Sequence, residues 1–329
     1  MRQKYHKLCS IISCLLCTVL LSSCGGVKQE ELFCYKDADD TIMSDYNTGN
    51  ADKQLPLFSE NLCVIPVTRP DDTDAALTAS SQLLINNTDN QVVYANQIYE
   101  RIYPASITKL VTAYVTLKYG NLDDTVTISH EAANITESGA KKCGFLEGEK
   151  ISLRDLLGAF LVYSGNDAGI AIAEHVGGSV EHFAEMMNTE MKQLGATGSH
   201  FVNPHGLHDE DHYTTAYDIY LVFHALLAYD EFTDIIAQPQ YECHYLAADG
   251  TEKSNTFETT NRYLKGTEKM PEGVTVVGGK TGTTDAAGSC LALYAKADDG
   301  TQYLSFVFHS QSGDDLFQQM SALLNYINH

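Results

Sequence analysis

The chain contains, close to its C-terminal end, the stretch Val276-Val277-Gly278-Gly279-Lys280-Thr281-Gly282-Thr283-Thr284. Apolar residues precede the lysine, and the pattern predicts a strand over Val274–Gly282 that ends among glycines. Two further apolar segments, Ser289–Ala297 and Gln302–His309, flank the turn signal Asp298-Asp299-Gly300 and predict a hairpin. Leu316–Ile327 then has the spacing of a closing amphipathic helix.

The segments nearer the N-terminus complete the predicted fold. Ser81–Ile85 and Val92–Ala95 are apolar runs around a turn-rich cluster, which predicts a second hairpin. Helical patterns lie between the two groups of strands: Ser106–Tyr119, Leu153–Tyr163, Asn166–Val176, Ser179–Leu194 and Thr215–Tyr229. The pattern therefore predicts an α+β fold, in which both ends of the domain form one antiparallel sheet beside an all-helical lobe.

Two short motifs precede Lys280-Thr281-Gly282 in the chain: Ser106-Ile107-Thr108-Lys109 and Ser164-Gly165-Asn166. Each motif alone is common, and the information lies in their order and local context. On a helix, Ser106 and Lys109 share a face, so the lysine amine can reach the serine hydroxyl and act as its base. An ordinary lysine is neutral only about one time in two thousand at pH 7. Burial and a second cation, for which Lys280 is the candidate, would lower its pKa.

The other motifs supply groups for proton transfer and substrate binding. Ser164 can relay a proton, and the amide of Asn166 can donate to a substrate carbonyl and accept from a lysine. The glycines at the end of the strand allow an extended peptide to approach Thr281 and Gly282 closely. We expect Lys280 and the nearby hydroxyls to bind a substrate carboxylate. The N–H groups of Ser106 and Thr283 are expected to form an oxyanion hole.

The first 24 residues have the form of a targeting segment. A basic start is followed by the apolar run Leu8–Leu21, which is short for a membrane-spanning helix. The run ends in Leu21-Ser22-Ser23-Cys24-Gly25, which resembles a bacterial lipobox and predicts lipidation of Cys24. An ordinary cleaved signal peptide is the alternative. Residues 25–75 are acidic and weakly periodic, which predicts a flexible tether, and residues 76–329 are expected to form the catalytic domain.

Composition excludes several classes of function. The formal net charge is −22, and an extended nucleic-acid surface would need a basic stripe instead. The twelve histidines and the cysteines show no metal-ligand spacing, so a metal site is not expected. The cysteines beyond Cys24 are Cys34, Cys63, Cys143, Cys243 and Cys290. A disulfide such as Cys34–Cys63 and free buried thiols both remain open.

The chain resembles the low-molecular-weight penicillin-binding proteins, the serine D-Ala-D-Ala carboxypeptidases. The resemblance extends from about Ala79 to the C-terminus and rests on these segments: Tyr103–Thr112, Leu161–Ala168, Asn203–Leu207, His212–Asp218 and Gly278–Ser289. It implies a β-lactamase/DD-peptidase-like fold, removal of the terminal D-Ala from peptidoglycan stem pentapeptides and no cofactor. It also implies these roles: acylation of Ser106, base catalysis by Lys109, proton relay by Ser164, peptide binding by Asn166, and carboxylate and oxyanion binding by Lys280, Thr281 and Thr283.

The same resemblance implies β-lactam antibiotics as acylating inhibitors. The lipobox-like sequence, in turn, predicts an extracytoplasmic protein that is held at the membrane by the lipid on Cys24. Some relatives carry Arg where Tyr217 stands, a departure that bears on carboxylate recognition. A serine β-lactamase shares the order of the motifs, but its deacylating Glu in an E-x-x-x-N setting is absent around Asn203. A non-catalytic protein that binds β-lactams or wall peptides is a further alternative. Endopeptidase or transpeptidase side activity also remains open.

Overall fold

The computed structural model describes residues 61–328. Its strands are β1 (Ser81–Asn86), β2 (Gln91–Asn96), β3 (Thr125–Thr127), β4 (Lys150–Ser152), β5 (Gln240–Leu246), β6 (Glu252–Glu258), β7 (Val274–Thr284), β8 (Gly288–Ala297) and β9 (Gln302–Ser310). Its α-helices are α1 (Thr108–Tyr119), α2 (His130–Ala133), α3 (Leu153–Val162), α4 (Asn166–Gly177), α5 (Val180–Gln193), α6 (Ala216–Leu226), α7 (Asp230–Ile236), α8 (Arg262–Lys265) and α9 (Gly313–Leu324).

The main sheet has five antiparallel strands in the order β2-β1-β9-β8-β7. The first and last strands in the sequence of this domain are neighbours, because β1 pairs with β9 in a register that places Leu84 opposite Ser305. This arrangement confirms the predicted α+β fold with both ends of the domain in one sheet. It also places β7, which carries the Lys280 motif, at one edge, where one side of its backbone is open to an extended ligand.

The main sheet separates two hydrophobic cores. Alternate residues of its strands point to opposite faces. One face, with Leu83 and Phe306, packs against the helical lobe. The other, with Leu84 and Val307, packs against α9. The predicted closing helix Leu316–Ile327 begins earlier, at Gly313, because the Ser312 side chain accepts a hydrogen bond from the Asp315 N–H and caps it.

Helix α1 lies at the centre of the helical lobe. All residues from Thr108 to Thr116 are buried, and a helix that is buried all round must also bury its polar side chains. The predicted helix over Ser106–Tyr119 is divided: Ala105–Ile107 forms a 3₁₀ turn and α1 starts at Thr108. The turn therefore presents Ser106 at the end of a rigid element, and the following helix draws Lys109 into the interior.

A second sheet, in the order β3-β4-β5-β6, was not predicted from the sequence. Two of its strands have only three residues, too few to show a period, and β6 buries little besides Phe257. Strand β5 packs on α3 so closely that a Cβ at Gly158 would lie 2.2 Å from the ring of Tyr241. The sheet therefore covers the outer side of the helix that leads into the Ser164 motif.

The folded unit begins earlier than the predicted boundary at residue 76. Cys63 and Ile65 are buried in the core that faces the helical lobe. The Cys63 N–H donates to the hydroxyl oxygen of Tyr220 at 2.8 Å, and the Tyr217 hydroxyl donates to the Cys63 carbonyl at 3.1 Å. The prediction of a flexible tether up to residue 75 is therefore wrong for this segment, because two apolar side chains in a polar stretch suffice to anchor it on α6.

Several predictions fall on residues that the structure does not describe. The signal peptide, the lipidated Cys24 and the tether up to residue 60 lie outside the described residues, as does Cys34. Within residues 61–328, Cys63, Cys143, Cys243 and Cys290 are free thiols. No helix between residues 61 and 328 is both long enough and apolar enough to cross a membrane.

Candidate active site

Ser106 sits on a strained turn against β7. Ala105, which precedes it, has a φ of +47°, in the left-handed region that costs energy for any residue with a Cβ. A Cβ at Gly282 would lie 2.8 Å from the amide nitrogen of Ser106 and 3.0 Å from that of Ile107. Only glycine permits this approach, so the third residue of the Lys280 motif sets the distance between the sheet edge and the serine.

Lys109 is fully buried behind Ser106. Its Nζ lies 3.1 Å from the Ser106 Oγ, and it donates to the Asn166 Oδ1 at 2.8 Å and to the His205 carbonyl at 2.7 Å. Two of these partners are obligatory acceptors, so they take both N–H groups of a neutral amine. The remaining lone pair then faces the serine hydroxyl, which is the arrangement that a general base needs.

Electrostatics favour the neutral amine at Lys109. Burial is the largest cause that lowers its pKa well below the usual value, and the charge of Lys280 is the next. Burial also lowers the pKa of Lys280 to about 7, with Lys141 as a further cause. The structure thus brings together the two lysines as the sequence argument required, although desolvation contributes more than the second cation.

Lys280 pairs with the second serine. Its Nζ donates to the Ser164 Oγ at 2.9 Å and to the Thr281 carbonyl at 2.8 Å, and its side chain is fully buried. The site therefore contains two serine–lysine pairs, Ser106 with Lys109 and Ser164 with Lys280. Because Lys280 is fully buried, its Nζ contacts the Ser164 hydroxyl and the Thr281 carbonyl, and its side chain does not line the open cavity.

The turn that carries Ser164 and Asn166 is held by the segment around Cys143. A Cβ at Gly165 would lie 2.2 Å from the Cys143 Sγ, so the glycine of this motif is required for packing. The carboxylate of Asp167 accepts from the backbone N–H groups of Cys143 and Gly144, both at 2.8 Å. These bonds fix the start of α4 and with it the amide of Asn166 that faces Lys109.

The segment Asn203–Leu207 also positions Lys109. Gly206 has a φ of +87°, and a Cβ there would lie 1.8 Å from the Ala105 carbonyl oxygen. The side chain of Asn203 accepts from the N–H of Gly206 at 2.7 Å and from that of His205 at 3.2 Å. This turn presents the His205 carbonyl to Lys109. The family resemblance included this segment, but the sequence did not show what the segment does.

The motif residues meet around an open cavity of about 320 Å³. Its lining includes Ser106, Ser164, Asn166, Thr281, Gly282 and Thr283. No Asp or Glu is among the described residues that line it. The Thr281 hydroxyl donates to the hydroxyl oxygen of Thr260 at 2.6 Å, which orients both side chains at the β7 edge. A peptide that lies along β7 would thus pass Ser106, and one end of this peptide would face the hydroxyl groups of Thr281 and Thr260.

Two residues lie where the sequence did not predict them: Arg262 lines the cavity, and Tyr217 does not. Arg262 lines the cavity from the short helix α8, and no motif or spacing marked it. Tyr217 lies away from this cavity, because its ring packs against Tyr99 and its hydroxyl bonds to Cys63. The departure from relatives at position 217 therefore concerns the anchoring of the N-terminal segment and not the cavity at Ser106.

Comparisons with known proteins agree with this geometry. The profile of peptidase family S11, described as D-alanyl-D-alanine carboxypeptidase, matches residues 67–312. The D-alanyl-D-alanine carboxypeptidase DacF of Bacillus subtilis is 33% identical over 260 residues, which cover 77% of this chain and 63% of that protein. DacA of Haemophilus influenzae is 30% identical over 240 residues, or 71% of this chain and 58% of that protein. The chain thus spans about three fifths of the length of these relatives.

Solved structures show the same fold. The Streptomyces K15 DD-transpeptidase has a TM-score of 0.71 at 25% identity, and the match covers 78% of this chain and 98% of that one. The D-alanyl-D-alanine carboxypeptidase DacD from Francisella tularensis has a TM-score of 0.67 at 28% identity, covering 80% and 73%. By fold and sequence, this chain belongs to the D-alanyl-D-alanine carboxypeptidase family of serine peptidases, family S11.

Proposed function

We propose that this protein is a serine D-Ala-D-Ala carboxypeptidase that removes the terminal D-Ala from peptidoglycan stem pentapeptides. The observation that carries the proposal is the 3.1 Å contact between the Ser106 hydroxyl and a fully buried Lys109 whose two other partners are both acceptors. This geometry supports acyl transfer through a serine nucleophile. The motif order and the membership of the family support the substrate class.

The proposed reaction has two acyl-transfer steps. The neutral amine of Lys109 takes the proton of Ser106 as the Oγ attacks the carbonyl of the penultimate D-Ala. The amides of Ser106 and Thr283 stabilise the oxyanion. The pair Ser164–Lys280 delivers a proton to the nitrogen of the departing D-Ala, and an ester on Ser106 remains. Water then attacks this ester and gives a proton back to the pair Ser164–Lys280, and the released Ser106 oxygen regains its proton from Lys109.

D-alanine release from a soluble pentapeptide that ends in D-Ala-D-Ala tests the proposal on the purified full-length chain. We expect release by the wild type and its loss in Ser106→Ala, since the nucleophile is removed. Ser254→Ala is the matched control, because Ser254 is exposed on β6 and distant from the motifs. Absence of release from a folded wild type would reject the carboxypeptidase.

The same proteins distinguish the β-lactamase alternative. We propose that β-lactams acylate Ser106 and remain attached. The described cavity lining offers no carboxylate to activate a deacylating water, and the nitrogen of the opened β-lactam ring, unlike a departing D-Ala, stays bonded to the acyl group beside Ser164 and Lys280. Intact-mass spectrometry after addition of benzylpenicillin should show a lasting adduct that Ser106→Ala lacks. Rapid loss of the adduct with continuous penicillin hydrolysis would favour the β-lactamase instead.

We further propose an extracytoplasmic lipoprotein, held at the membrane through lipid on Cys24. The support is the basic start, the apolar run Leu8–Leu21 and the lipobox-like sequence that follows it. Labelling of bacteria with a radioactive fatty acid should mark the wild type and leave Cys24→Ala unlabelled. Equal labelling of both proteins, or none of either, would reject the anchor and favour an ordinary cleaved signal.

A further inference from the structure

His212 is a buried titratable residue that the proposed reaction does not use. It is 2% exposed and does not line the cavity at Ser106. Its ring packs edge-on against that of Phe201, with 5.2 Å between the ring centres. A polar ring in the interior is stable only when its nitrogens are hydrogen-bonded. The partners of these nitrogens therefore show which parts of the fold His212 connects.

The hydrogen bonds of His212 fix its tautomer. The Nδ1 accepts from the backbone N–H of Val202 at 3.2 Å, so this nitrogen carries no proton. The proton of the neutral ring is then on the Nε2, which lies 2.7 Å from the Thr108 Oγ1 and donates to it. Burial lowers the pKa of His212 to about 3, so the ring stays neutral. Because both nitrogens are engaged, the ring acts as a fixed support and not as an acid or a base.

Thr108 extends this bond to the residue before the nucleophile. The Thr108 Oγ1 accepts from His212, and its own O–H donates to the Ala105 carbonyl at 2.8 Å. The backbone N–H of Thr108 donates to the same carbonyl. Thr108 is fully buried. The bonds thus run in one direction, from the imidazole to the hydroxyl and from the hydroxyl to the Ala105 carbonyl.

The Ala105 carbonyl belongs to the same peptide unit as the N–H of Ser106. A trans peptide is planar, so its C=O and N–H point in opposite directions, and a bond that fixes one also aims the other. Ala105 has a φ of +47°, a conformation that persists only where the surroundings determine it. A Cβ at Gly206 would lie 1.8 Å from the Ala105 oxygen and 2.8 Å from the Thr108 Oγ1. The carbonyl is therefore held tightly on the side away from the cavity.

The same imidazole also holds the loop behind Lys109. Val202, whose N–H donates to the His212 Nδ1, directly precedes the segment Asn203–Leu207. The His205 carbonyl in that segment accepts from the Lys109 Nζ at 2.7 Å. A single ring thus joins the turn that carries the nucleophile to the loop that binds its base.

We infer that His212 is a positioning residue for acyl transfer. Through Thr108 and the Ala105 carbonyl it aims the Ser106 N–H into the oxyanion hole, and through Val202 it holds the loop behind Lys109. Because His212 and Thr108 do not line the cavity, their effect belongs to the rate of acylation and not to the binding of the substrate. The inference rests on the proposed function, since it assigns the support of the same oxyanion hole.

Thr108→Val is the test variant, because it keeps the size of the side chain and removes the hydroxyl that links His212 to Ala105. Acylation by benzylpenicillin is followed over a range of concentrations, which separates the acylation rate constant from the dissociation constant of the preceding complex. We expect the rate constant to fall about 10- to 100-fold and the dissociation constant to change less than about twofold. Thr108→Ser, which keeps a hydroxyl, should recover most of the rate.

Thr116→Val is the matched control. Thr116 is fully buried about two turns further along α1, and its hydroxyl donates to the Thr112 carbonyl at 2.7 Å. The substitution therefore removes a buried threonine hydroxyl that has no link to Ala105. Thermal unfolding of each variant verifies folding. An unchanged rate constant in Thr108→Val, or an equal fall in Thr116→Val, would overturn the inference.

His212→Phe tests whether the two residues act as one unit. Phenylalanine keeps a ring against Phe201 and removes both nitrogens. Because each substitution breaks the same series of bonds, the double variant with Thr108→Val should acylate about as slowly as His212→Phe alone. Losses that multiply in the double variant would show that Thr108 and His212 act independently, which contradicts the inference.

Amide hydrogen exchange separates this inference from the proposed reaction, because it needs no turnover. In the full-length chain, the peptide that contains Ala105–Ile107 should exchange faster in Thr108→Val than in the wild type, and Thr116→Val should leave its exchange unchanged. Unchanged exchange in Thr108→Val would reject the role of His212 even if the wild type releases D-alanine. Faster exchange in that variant alone would support the role even if release fails.

Discussion

Lys109 shows how a single buried residue acquires its chemistry from partners far away in sequence. The acceptors that engage its two N–H groups come from Asn166 and His205, 57 and 96 residues away. The protonated form could donate its third N–H to the Ser106 Oγ, but it would lose its hydration in the interior and lie close to the charge of Lys280. The site therefore favours the neutral amine, and the serine hydroxyl is the group left to interact with its lone pair.

The pH dependence of acylation tests this account. The neutral amine is the active form, so the rate should fall as the pH falls through the pKa of Lys109. The charge of Lys280 lowers that pKa. Lys280→Met removes the charge, so the pKa of Lys109 should rise and the acid limb of the profile should move to higher pH. Lys280 has a pKa of about 7 and carries most of its charge below that pH, where the displacement should be largest.

The profile is measured as the rate of penicillin acylation against pH. Ser164→Ala is the matched control, because it removes the hydrogen-bond partner of Lys280 and keeps the charge of Lys280. The acid limb of the pH–rate profile of this variant should not move to higher pH. If the acid limb of the Lys280→Met profile stays at the same pH, the charge of Lys280 does not contribute to the low pKa of Lys109, and burial is its cause.

At the scale of elements, the site depends on the contact between the edge strand β7 and the turn Ala105–Ile107. Glycine at position 282 allows the two backbones to touch, and the positive φ of Ala105 turns the serine toward the strand. The energy of this strained turn is offset by the packing of α1 behind it, where nine consecutive residues are buried. The nucleophile is thus held by packing between elements and not by its own helix.

Gly282→Ala tests this contact. The added methyl group would lie 2.8 Å from the Ser106 nitrogen, so β7 and the turn must separate. We expect a loss of stability of about 1–3 kcal/mol from overpacking and a fall in acylation rate of at least tenfold. Thr275→Ala, at an exposed position of the same strand, should change neither quantity. Normal acylation by Gly282→Ala would mean that the approach of the two backbones is not required.

At the scale of the whole molecule, the described unit is larger than the catalytic fold predicted from its motifs. The segment from Cys63 to Ile65 crosses α6 and buries two apolar side chains there, while Val64 between them is 62% exposed. The N-terminal segment is therefore part of the cooperative unit, and its loss should destabilise the domain.

Ile65→Ala and Val64→Ala form a matched pair for this prediction. Truncation of the buried isoleucine should lower the free energy of unfolding by about 2–4 kcal/mol, as in other large-to-small core substitutions. Truncation of the exposed valine should change it by less than about 0.5 kcal/mol. Urea denaturation followed by circular dichroism measures both. Equal effects of the two substitutions would contradict the packing of this segment.

The sequence by itself determined the chemistry of the site and the class of the fold. Apolar periodicity located the strands of the main sheet and most helices, because each buries one face with a regular spacing. The order of the three motifs identified Ser106, Lys109, Ser164, Asn166 and Lys280, which the structure brings to one site. Local patterns sufficed here because the elements are long and the motifs are specific.

Only the tertiary structure decided how these groups are arranged. It joins Lys280 to Ser164, places Arg262 in the lining of the cavity, keeps Tyr217 away from the cavity and anchors Cys63 on α6. Each of these contacts joins residues 50 or more positions apart, or depends on the burial of a polar side chain. Periodicity describes which face of an element is apolar, but the partner of a polar side chain is set by the packing of elements that are distant in the chain.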